Sequence, residues 1–408
     1  MLGEYDVFVN KKEAGWMLNL SEKHGMIQKI AEKIAKEKIA PRAKELDATG
    51  AFPWDLVDTY KKHGFLYLML PERFGGLDGD ITSLCLVIEE FAKVSGAASL
   101  IPLAHNVGIM PIMVAANDAQ KEYIYGKIID ADKMYLVAFA LTEPNSGSDA
   151  SHMATSAVKD GNYYYLNGKK SMITNGANAQ LYTVLASTNP KLRTNGISAF
   201  YVERDYPGVI IGKSEDKMGM IGSDITEIIF DNVRLSKENL LGKEGQGWDI
   251  AMSTLNLSRP AVGAQAVGIA QGALDFSVEY AWKRVQFGQK LADFEGIQFM
   301  VADMATQVEA ARALVYDAAH LLDMKVYERD KMSAIGVDKL SAMAKVYSAD
   351  AAMKVTTDAV QILGGYGYTK EYPVERMMRD AKATQIYEGT NQIQRIVIAR
   401  DIFRKFMP

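Results

Sequence analysis

Cysteine is almost absent from this sequence, in which Cys85 is the only one among 408 residues. A disulfide within the chain is therefore excluded, and so is a zinc site that needs several cysteines. Cys85 lies in the apolar run Leu84-Cys85-Leu86-Val87-Ile88, which favours a small buried core residue over a reactive thiol. We expect no metal centre.

The sequence also lacks a basic excess and a long apolar run. Its 46 Lys and Arg are interleaved with 50 Asp and Glu, for a formal net charge of -4, so a nucleic-acid partner is not expected. Residues 1–6 contain no basic segment that leads into an apolar stretch, and we find no stretch of about 18 uncharged apolar residues. We therefore expect neither a signal peptide nor a membrane span.

The chain does contain a clear order of helices, then strands, then helices. Apolar residues recur at helical spacing from about residue 21 to 131, and again from 247 onward. Between 134 and 241, short runs rich in β-branched and aromatic residues alternate with Gly, Asn, Asp and Pro, which indicates an antiparallel sheet or barrel. This segregation predicts an α+β multidomain fold and argues against a Rossmann fold. The predicted domains are helical (1–133), β (134–245) and a helical bundle (246–408).

Two predicted strands end in polar segments. The first runs into residues 143–149, a turn rich in hydroxyls and exposed N–H groups, which can donate to a flat heterocycle or a phosphate. A solvated loop after a strand explains the same residues. The second strand ends in Met172-Ile173-Thr174-Asn175-Gly176, where alternation places Met172 and Thr174 on one face.

Two C-terminal segments are further candidates for chemistry. The paired glycines in Gln361-Ile362-Leu363-Gly364-Gly365 let the backbone approach a ligand closely, although a helix C-cap explains them equally well. Glu388 stands among uncharged neighbours, just before a glycine and a predicted helix start. It is either a helix N-terminal charge or, if buried without a fixed cation, a base with a raised pKa.

Taken together and in this order, these segments resemble the acyl-CoA dehydrogenase family over nearly the whole chain. The stretches that carry the resemblance are 70–76 (LPERFGG), 142–149 (TEPNSGSD), 217–219 (KMG), 284–288 (RVQFG) and 387–395 (YEGTNQIQR). The resemblance implies an N-terminal helical domain, a middle β-domain and a C-terminal four-helix bundle, with FAD held between domains and subunits. Residues 372–380 look more like the bacterial short-chain, butyryl-CoA-like members, so a bacterial cytoplasmic location is expected.

The resemblance also assigns roles to individual residues. Those that match flavin or phosphate contacts are Phe139, Thr142, Gly147, Ser148, Met172 and Thr174. Those that match contacts to a neighbouring subunit's FAD are Arg284, Gln286 and Phe287, while Gln361, Gly364 and Gly365 match its adenosine-diphosphate cradle and Thr390 and Gln392 match flavin-nucleotide contacts. Substrate contacts are implied for Ser148, Arg259, Tyr387 and Gly389. Two positions depart from the family: Met172 stands where Trp is usual, and Glu295 where many members have Gln.

The mechanism that the resemblance implies starts at Glu388. This carboxylate removes the α-proton of an acyl-CoA thioester while a hydride leaves Cβ for flavin N5, and the backbone N–H of Glu388 helps to stabilise the enolate oxygen. Some family members place the base on the first long helix of the C-terminal domain, but that position is Ser258 here. Implied partners are an electron-transferring flavoprotein and three further copies of the chain in a homotetramer, a dimer of dimers.

Alternatives within and outside the family stay open at this point. An acyl-CoA oxidase shares the fold but usually has a much longer chain, and nitroalkane oxidases use Asp where this chain has Glu388. A non-catalytic helper of the same fold is expected to lack the base, whereas Glu388 is present here. In a helical-bundle binding protein, Glu388 would be a helix charge only. For the substrate, residues 96–103 offer no cation for a second carboxylate, which disfavours a glutaryl-type enzyme. Branched, aromatic and cyclic acyl groups remain possible, and His105, in a weakly isovaleryl-like segment, is expected to be a packing residue.

Overall fold

A computed structural model describes residues 20–130, 134–327 and 337–406. The first of these ranges is helical, as predicted. Its helices are α1 (Glu22–Ile34), α2 (Ala43–Thr49), α3 (Trp54–Lys62), α4 (Ile81–Ala92), α5 (Gly96–Ala115) and α6 (Asp118–Ile129). Side-chain caps start several of them: Ser21, Asp80 and Asn117 each accept a hydrogen bond from a backbone N–H of the first turn.

The middle of the chain forms an eight-stranded sheet, which confirms the predicted β-domain. Its strands are β1 (Val137–Ala140), β2 (Ser156–Asp160), β3 (Tyr163–Thr174), β4 (Leu181–Ser187), β5 (Ile197–Glu203), β6 (Val209–Ser214), β7 (Ile225–Ser236) and β8 (Leu240–Leu241). The order is β6-β7-β3-β2-β4-β5-β8, with β1 paired to β4. Most pairs are antiparallel, but β4 lies parallel to both β1 and β2, so the sheet is mixed. The long chain between β1 and β4 permits this parallel pairing.

The C-terminal part is a bundle of long helices, as predicted. Its elements are α7 (Gly247–Lys283), a hairpin of β9 (Val285–Gln286) and β10 (Gln289–Lys290), α8 (Glu295–Tyr327), α9 (Val337–Leu363), α10 (Val374–Thr384) and α11 (Asn391–Phe403). Helix α7 packs on α8, α9 and the N-terminal helix α4. A Cβ at Gly268 of α7 would stand 2.3 Å from the Glu89 carbonyl oxygen of α4, and a Cβ at Gly272 would stand 2.0 Å from the carbonyl oxygen of Lys93, just after α4, so only glycine allows this approach.

Helix α10 joins all three regions. Arg379 pairs with Asp47 at 2.7 Å and donates to the Met218 carbonyl at 3.1 Å, and Asp380 accepts from the Met220 backbone N–H. Burial raises the pKa of Asp380 to about 6. These contacts link the α1 to α6 region, the sheet and the bundle. The exact domain boundaries, at 133/134 and 245/246, stay a prediction.

Helix α5 is long and apolar enough, by length and composition, to cross a membrane. The expectation that no such stretch exists is therefore wrong for this segment, because its few polar residues do not offset its apolar ones. However, 83% of its most apolar window is buried within the protein. His105 of α5 donates from Nε2 to the Leu66 carbonyl at 2.7 Å and accepts at Nδ1 from the Val137 N–H at 3.0 Å. Helix α5 packs as a core helix, and His105 is the packing residue expected.

Candidate active site

Glu388 lies in the turn between α10 and α11. Its backbone is left-handed (φ 56°), and so is that of the following Gly389 (φ 89°). A left-handed non-glycine residue costs roughly 1–3 kcal/mol and persists only where its surroundings hold it. The Glu388 side chain points to α7, where Oε2 accepts a 2.6 Å hydrogen bond from the Ser258 hydroxyl. The turn therefore aims the carboxylate at the helix that carries Ser258 and Arg259.

Three buried side chains hold the backbone of this turn. Gln394 donates to the carbonyls of Glu388 and Gly389, at 3.2 and 2.9 Å. Lys345 donates to the Gly389 carbonyl at 2.9 Å, and Arg259 Nε lies 3.5 Å from the Glu388 carbonyl oxygen. The carbonyls thus point into the protein. Among the described residues, by contrast, the Glu388 backbone N–H has no acceptor.

Burial and the neighbouring polar groups shift the pKa of Glu388 in opposite directions. Burial raises the pKa of the carboxyl, while the Ser258 hydroxyl and the cations Arg259 and Lys345 act to lower it, without cancelling the rise. Burial in turn lowers the pKa of Lys345 to about 7 and lowers the pKa of Arg259. The site therefore holds a carboxyl whose proton affinity exceeds that of an exposed glutamate.

Tyr387 links the turn to the N-terminal helices. Its hydroxyl donates to Oε1 of Gln265 on α7, and Gln265 Nε2 donates to the Ser99 hydroxyl of α5 at 2.9 Å. Gln265 and Ser99 are completely buried. Arg259 is fixed separately, because its Nη1 donates to Asn256 Oδ1 at 2.6 Å. Glu388, Tyr387, Gly389 and Arg259, predicted from distant parts of the sequence, therefore lie together.

The two polar strand ends of the sheet also lie side by side. The Ser171 N–H donates to the Thr142 carbonyl at 2.9 Å, which joins the end of β3 to the segment after β1. A buried ion pair, Lys170 Nζ to Glu143 Oε1 at 2.8 Å, fixes the same junction, and Glu143 also accepts from the backbone N–H groups of residues 154 and 155. These contacts hold the start of the 142–149 turn firmly against β3.

Beyond this junction the candidate flavin residues are accessible. Gly147 and Ser148 are exposed, while Phe139, Thr142 and Thr174 are partly buried. Met172 stands at a bulge opposite β7 with a left-handed backbone (φ 58°) and is 57% exposed, whereas its neighbours Ser171 and Ile173 are buried. The bulge interrupts the regular alternation expected here, but Met172 and Thr174 are both more exposed than Ile173 between them.

A second group of candidates surrounds the β9-β10 hairpin. Phe287 at its tip is 96% exposed, Gln286 is exposed, and the Arg284 guanidinium lies 5.4 Å from the centre of the Tyr366 ring. That contact joins the hairpin to the glycine segment after α9. There Gln361, Gly364 and Gly365 are exposed, and a Cβ added at either glycine would meet nothing within 4 Å.

The remaining candidates lie at helix starts. Thr390 caps α11 by accepting from the Ile393 N–H at 3.3 Å, and Gln392 of its first turn is exposed. Glu295 is exposed at the start of α8. Within the described ranges, no group of three or more His, Cys, Asp or Glu could hold a metal ion.

The donor types at these segments fit a flavin dinucleotide. The exposed 147–148 turn and the open Gly364-Gly365 backbone offer N–H groups to phosphates, and Arg284 offers a cation that prefers them. The hydroxyls of Thr142 and Thr174 lie at neighbouring strand ends, where a flat ring can accept hydrogen bonds from them. Met172 provides an apolar, exposed side chain beside them.

Comparison with known proteins identifies the family. Three models match in sequence order: acyl-CoA dehydrogenase N-terminal domain (21–132), middle domain (138–233) and C-terminal domain (245–403). An acyl-CoA dehydrogenase of Bacillus subtilis is 46% identical over 94% of this chain and 98% of its own length. A cyclohexane-1-carbonyl-CoA dehydrogenase of Geobacter metallireducens is 43% identical over 95% of this chain and all of its own.

Solved structures agree with this assignment. Butyryl-CoA dehydrogenase of Megasphaera elsdenii has a TM-score of 0.88 at 43% identity, covering 95% of this chain and 99% of that one. A chain from a structure described as electron transferring flavoprotein of Acidaminococcus fermentans has a TM-score of 0.89 at 45% identity, with the same coverage. An acyl-CoA dehydrogenase of Bacillus anthracis complexed with FAD has a TM-score of 0.88 at 33% identity, over 96% of this chain and 69% of that one. This chain therefore belongs to the acyl-CoA dehydrogenase family and is an oxidoreductase whose cofactor is FAD.

Proposed function

We propose that this enzyme oxidises the Cα–Cβ bond of an acyl-CoA thioester to the trans-2-enoyl-CoA, with Glu388 as the base. The observation that carries this proposal is the Glu388 carboxyl itself. It sits in a strained turn, its pKa is raised by burial, and one of its oxygens is held by Ser258 at 2.6 Å. A base of raised pKa takes a carbon-bound proton better than an exposed glutamate does.

The same turn provides for the charge that develops on the substrate. The α-proton of a thioester is too weakly acidic for a carboxylate unless the enolate oxygen is stabilised as it forms. The Glu388 N–H, which no acceptor among the described residues engages, is the donor we assign to that oxygen. As the α C–H bond breaks, its proton goes to Glu388, the hydrogen on Cβ leaves with its electron pair, and the Cα=Cβ bond forms.

FAD, when bound, supplies the acceptor for the hydride that leaves Cβ. We assign its binding within the chain to two strand ends and to the α11 start. The residues are Phe139, Thr142, Gly147, Ser148, Met172, Thr174, Thr390 and Gln392. The residues assigned to a neighbouring subunit's FAD are Arg284, Gln286, Phe287, Gln361, Gly364 and Gly365. On the substrate side, Ser148, Arg259, Tyr387 and Gly389 would orient the thioester beside Glu388.

A homotetramer fits the exposed surface of the bundle. Trp282 and Phe299 are each 61% exposed, and Phe287 at the hairpin tip is almost fully exposed. Exposed large apolar side chains are typical of a protein–protein interface, and the resemblance implies that the assembly is a tetramer. Sedimentation of the holoenzyme should therefore show a tetramer. A stable monomer that retains FAD would contradict the shared cofactor site.

The proposed electron acceptor is an electron-transferring flavoprotein, as the resemblance implies. A solved structure described as electron transferring flavoprotein of A. fermentans contains a chain that is 45% identical to this one over most of its length, and this supports the proposal. An acyl-CoA oxidase is the alternative. Turnover with acyl-CoA should release hydrogen peroxide much more slowly than it reduces an artificial acceptor, and equal rates would favour the oxidase.

A short straight-chain acyl-CoA is the first proposed substrate class, and a cyclic acyl-CoA is the second. The butyryl-CoA dehydrogenase structure favours the first, and the cyclohexane-1-carbonyl-CoA relative favours the second at the same 43% identity. Steady-state rates with butyryl-, isovaleryl-, cyclohexane-1-carbonyl- and glutaryl-CoA would separate them. We expect glutaryl-CoA to be the poorest of the four.

The decisive test of the chemistry replaces Glu388 by Gln in the holoenzyme. The amide keeps the size of the side chain and a partner for Ser258 but cannot take the proton. Flavin reduction by the best substrate of the panel should slow by about 10²- to 10⁴-fold in a stopped-flow measurement, while FAD content stays unchanged. Glu371→Gln is the matched control, because Glu371 is exposed just before α10. Near-normal flavin reduction in Glu388→Gln would show that another group is the base.

A further inference from the structure

Lys345 of α9 is a fully buried lysine beside the turn that carries Glu388. Its side chain has no exposed surface, and its Nζ donates to two acceptors, the Gly389 carbonyl and Asn391 Oδ1, both at 2.9 Å. Lysine is almost never fully buried unless it is paired. The two acceptors lie on either side of Thr390, so a single ammonium group bridges the end of the turn and the start of α11.

The second acceptor is itself fixed by α9. Asn391 Nδ2 donates to Asp350 Oδ1 at 2.8 Å, and the same oxygen accepts from Gln385 Nε2 at 2.6 Å. The Asn391 N–H also donates to the Gln385 carbonyl at 3.0 Å, which closes the loop at its base. One face of α9 therefore holds both ends of the 385–391 loop through Asp350 and its apex through Lys345.

Such support is needed because the apex is strained. Two consecutive left-handed residues, Glu388 and Gly389, are not favoured by a free chain. Gln394 also donates to the Gly389 carbonyl, so this oxygen accepts from two buried side chains. Of these two donors to the Gly389 carbonyl, only Lys345 carries a charge and comes from outside the loop and α11.

We propose that Lys345 is a positioning residue for proton abstraction. Its ammonium group donates hydrogen bonds to the Gly389 carbonyl and the Asn391 side chain, and these bonds fix the turn that presents the Glu388 carboxylate and N–H. This inference rests on the proposed function, since it assigns Lys345 a role through Glu388. Lys345 touches neither substrate nor cofactor in this scheme.

The charge of Lys345 adds a measurable consequence. The groups that face it are Glu388 and Asp350, which favour its ammonium form, and Arg259, which disfavours it. The Lys345 cation in turn lowers the pKa of Glu388. Removing that cation must raise the pKa of Glu388, so the base becomes ionised only at higher pH. The acidic limb of the pH–rate profile, where the rate falls as Glu388 is protonated, would therefore move to higher pH.

The experiment compares three holoenzyme variants. Lys345→Met removes the charge and the donors at similar length, Lys345→Arg keeps a cation, and Lys354→Met is the control, because Lys354 is an exposed lysine of the same helix. Flavin reduction is followed by stopped flow from pH 5 to 9, and hydrogen exchange of the 385–391 peptide is followed by mass spectrometry.

We expect Lys345→Met to reduce its flavin about 10- to 100-fold more slowly, as misplacement of a catalytic group by about 1 Å does. Its acidic limb should move to higher pH, and its 385–391 peptide should exchange faster. Lys345→Arg should restore the position of the limb, and Lys354→Met should match the wild type. An unchanged limb and unchanged exchange in Lys345→Met would overturn the proposal.

Two provisions keep the test decisive. If Lys345→Met does not fold, Lys345→Gln, which keeps neutral donors, is measured in the same way, and a wild-type limb in that variant would overturn the proposal. Failure of the proposed function has a different signature: Glu388→Gln would then still reduce its flavin. The exchange of the 385–391 peptide would report in either case whether Lys345 holds the turn.

Discussion

The Ser258 hydroxyl donates a 2.6 Å hydrogen bond to Glu388 Oε2, across 130 positions of the sequence. Ser258 is completely buried, and among the described residues the only other hydrogen-bond acceptor of its hydroxyl is the Leu255 carbonyl of its own helix, at 3.2 Å. A hydroxyl that donates to a carboxylate stabilises the ionised form and lowers its pKa, against the rise that burial causes. Ser258 therefore acts on the proton affinity of Glu388, beyond packing α7 against the turn.

The first prediction is that Ser258→Ala moves the acidic limb of the flavin-reduction profile to higher pH. Without the hydroxyl, the pKa of Glu388 rises further, and the rate, which needs the ionised carboxylate, falls at a higher pH than in the wild type. Stopped-flow rates between pH 5 and 9 measure this. Ser277→Ala is the control, because Ser277 is equally buried in α7 but donates to the Ala273 carbonyl. A limb that moves equally in both variants would contradict the assignment.

The second prediction concerns the pH dependence of stability. Burial lowers the pKa of His105 to about 4, against an ordinary value of 6.5. Between pH 4 and 6.5, His105 takes up a proton in the unfolded chain but not in the folded protein. The contribution of the neutral imidazole to the free energy of unfolding is therefore complete above pH 6.5. It declines by about 3 kcal/mol as the pH falls to 4.

The test of that prediction is His105→Gln, with His63→Gln at an exposed position as control. At pH 8 the His105 variant should be less stable by about 1–3 kcal/mol, because a shorter amide cannot serve both the Leu66 carbonyl and the Val137 N–H. Urea denaturation at pH 8 and at pH 5 should then show this gap narrowing at the lower pH. A gap that stays constant would exclude His105 as the source of the pH dependence.

The third prediction is that Arg284→Ala weakens FAD retention. We assign Arg284 to the phosphates of a neighbour's cofactor, and a charge-assisted contact of this kind is worth roughly 1.5–3 kcal/mol. The dissociation constant for FAD, measured from flavin fluorescence on dilution, should therefore rise about 10- to 100-fold. Sedimentation should still show the tetramer. Lys283→Ala is the control on the adjacent exposed residue. Equal retention in both variants would exclude the phosphate contact.

Much of this arrangement could be predicted from local sequence patterns. The change from helical to strand periodicity near residue 134, and back near 247, reflects which face of each element is buried, so the order of regions was predictable. The role of Glu388 as the base comes from the resemblance and stays a prediction, because the residues around it are equally compatible with a helix N-terminal charge. The sequence shows that position 258 has no carboxylate, but it does not reveal the hydrogen bond from the Ser258 hydroxyl to Glu388.

What could not be predicted depends on contacts between distant residues. Lys345 lies in a helix that carries several other charged residues, which favours a solvated lysine, whereas the packing of α9 against the rest of the bundle and the 385–391 loop buries it. The left-handed backbone at position 172 could not be predicted either, because the residue there is Met172 and not a glycine that would indicate a bulge. The parallel pairing of β1 with β4 is set by long-range packing that strand propensity does not report.

The last prediction uses the Ser258 and Glu388 geometry to move the base. Since the Ser258 hydroxyl already lies 2.6 Å from the carboxylate, a glutamate at 258 can extend its carboxylate into the space that an emptied position 388 leaves. Glycine at 388 also removes the cost of a left-handed non-glycine residue (φ 56°). We therefore expect Glu388→Gly with Ser258→Glu to reduce its flavin faster than Glu388→Gly alone, though more slowly than the wild type. The matched control is Glu388→Gly with Ser258→Gln, which has the same size but no carboxylate. Equal rates in the two double variants, both with FAD bound, would show that a carboxylate at position 258 does not act as the base.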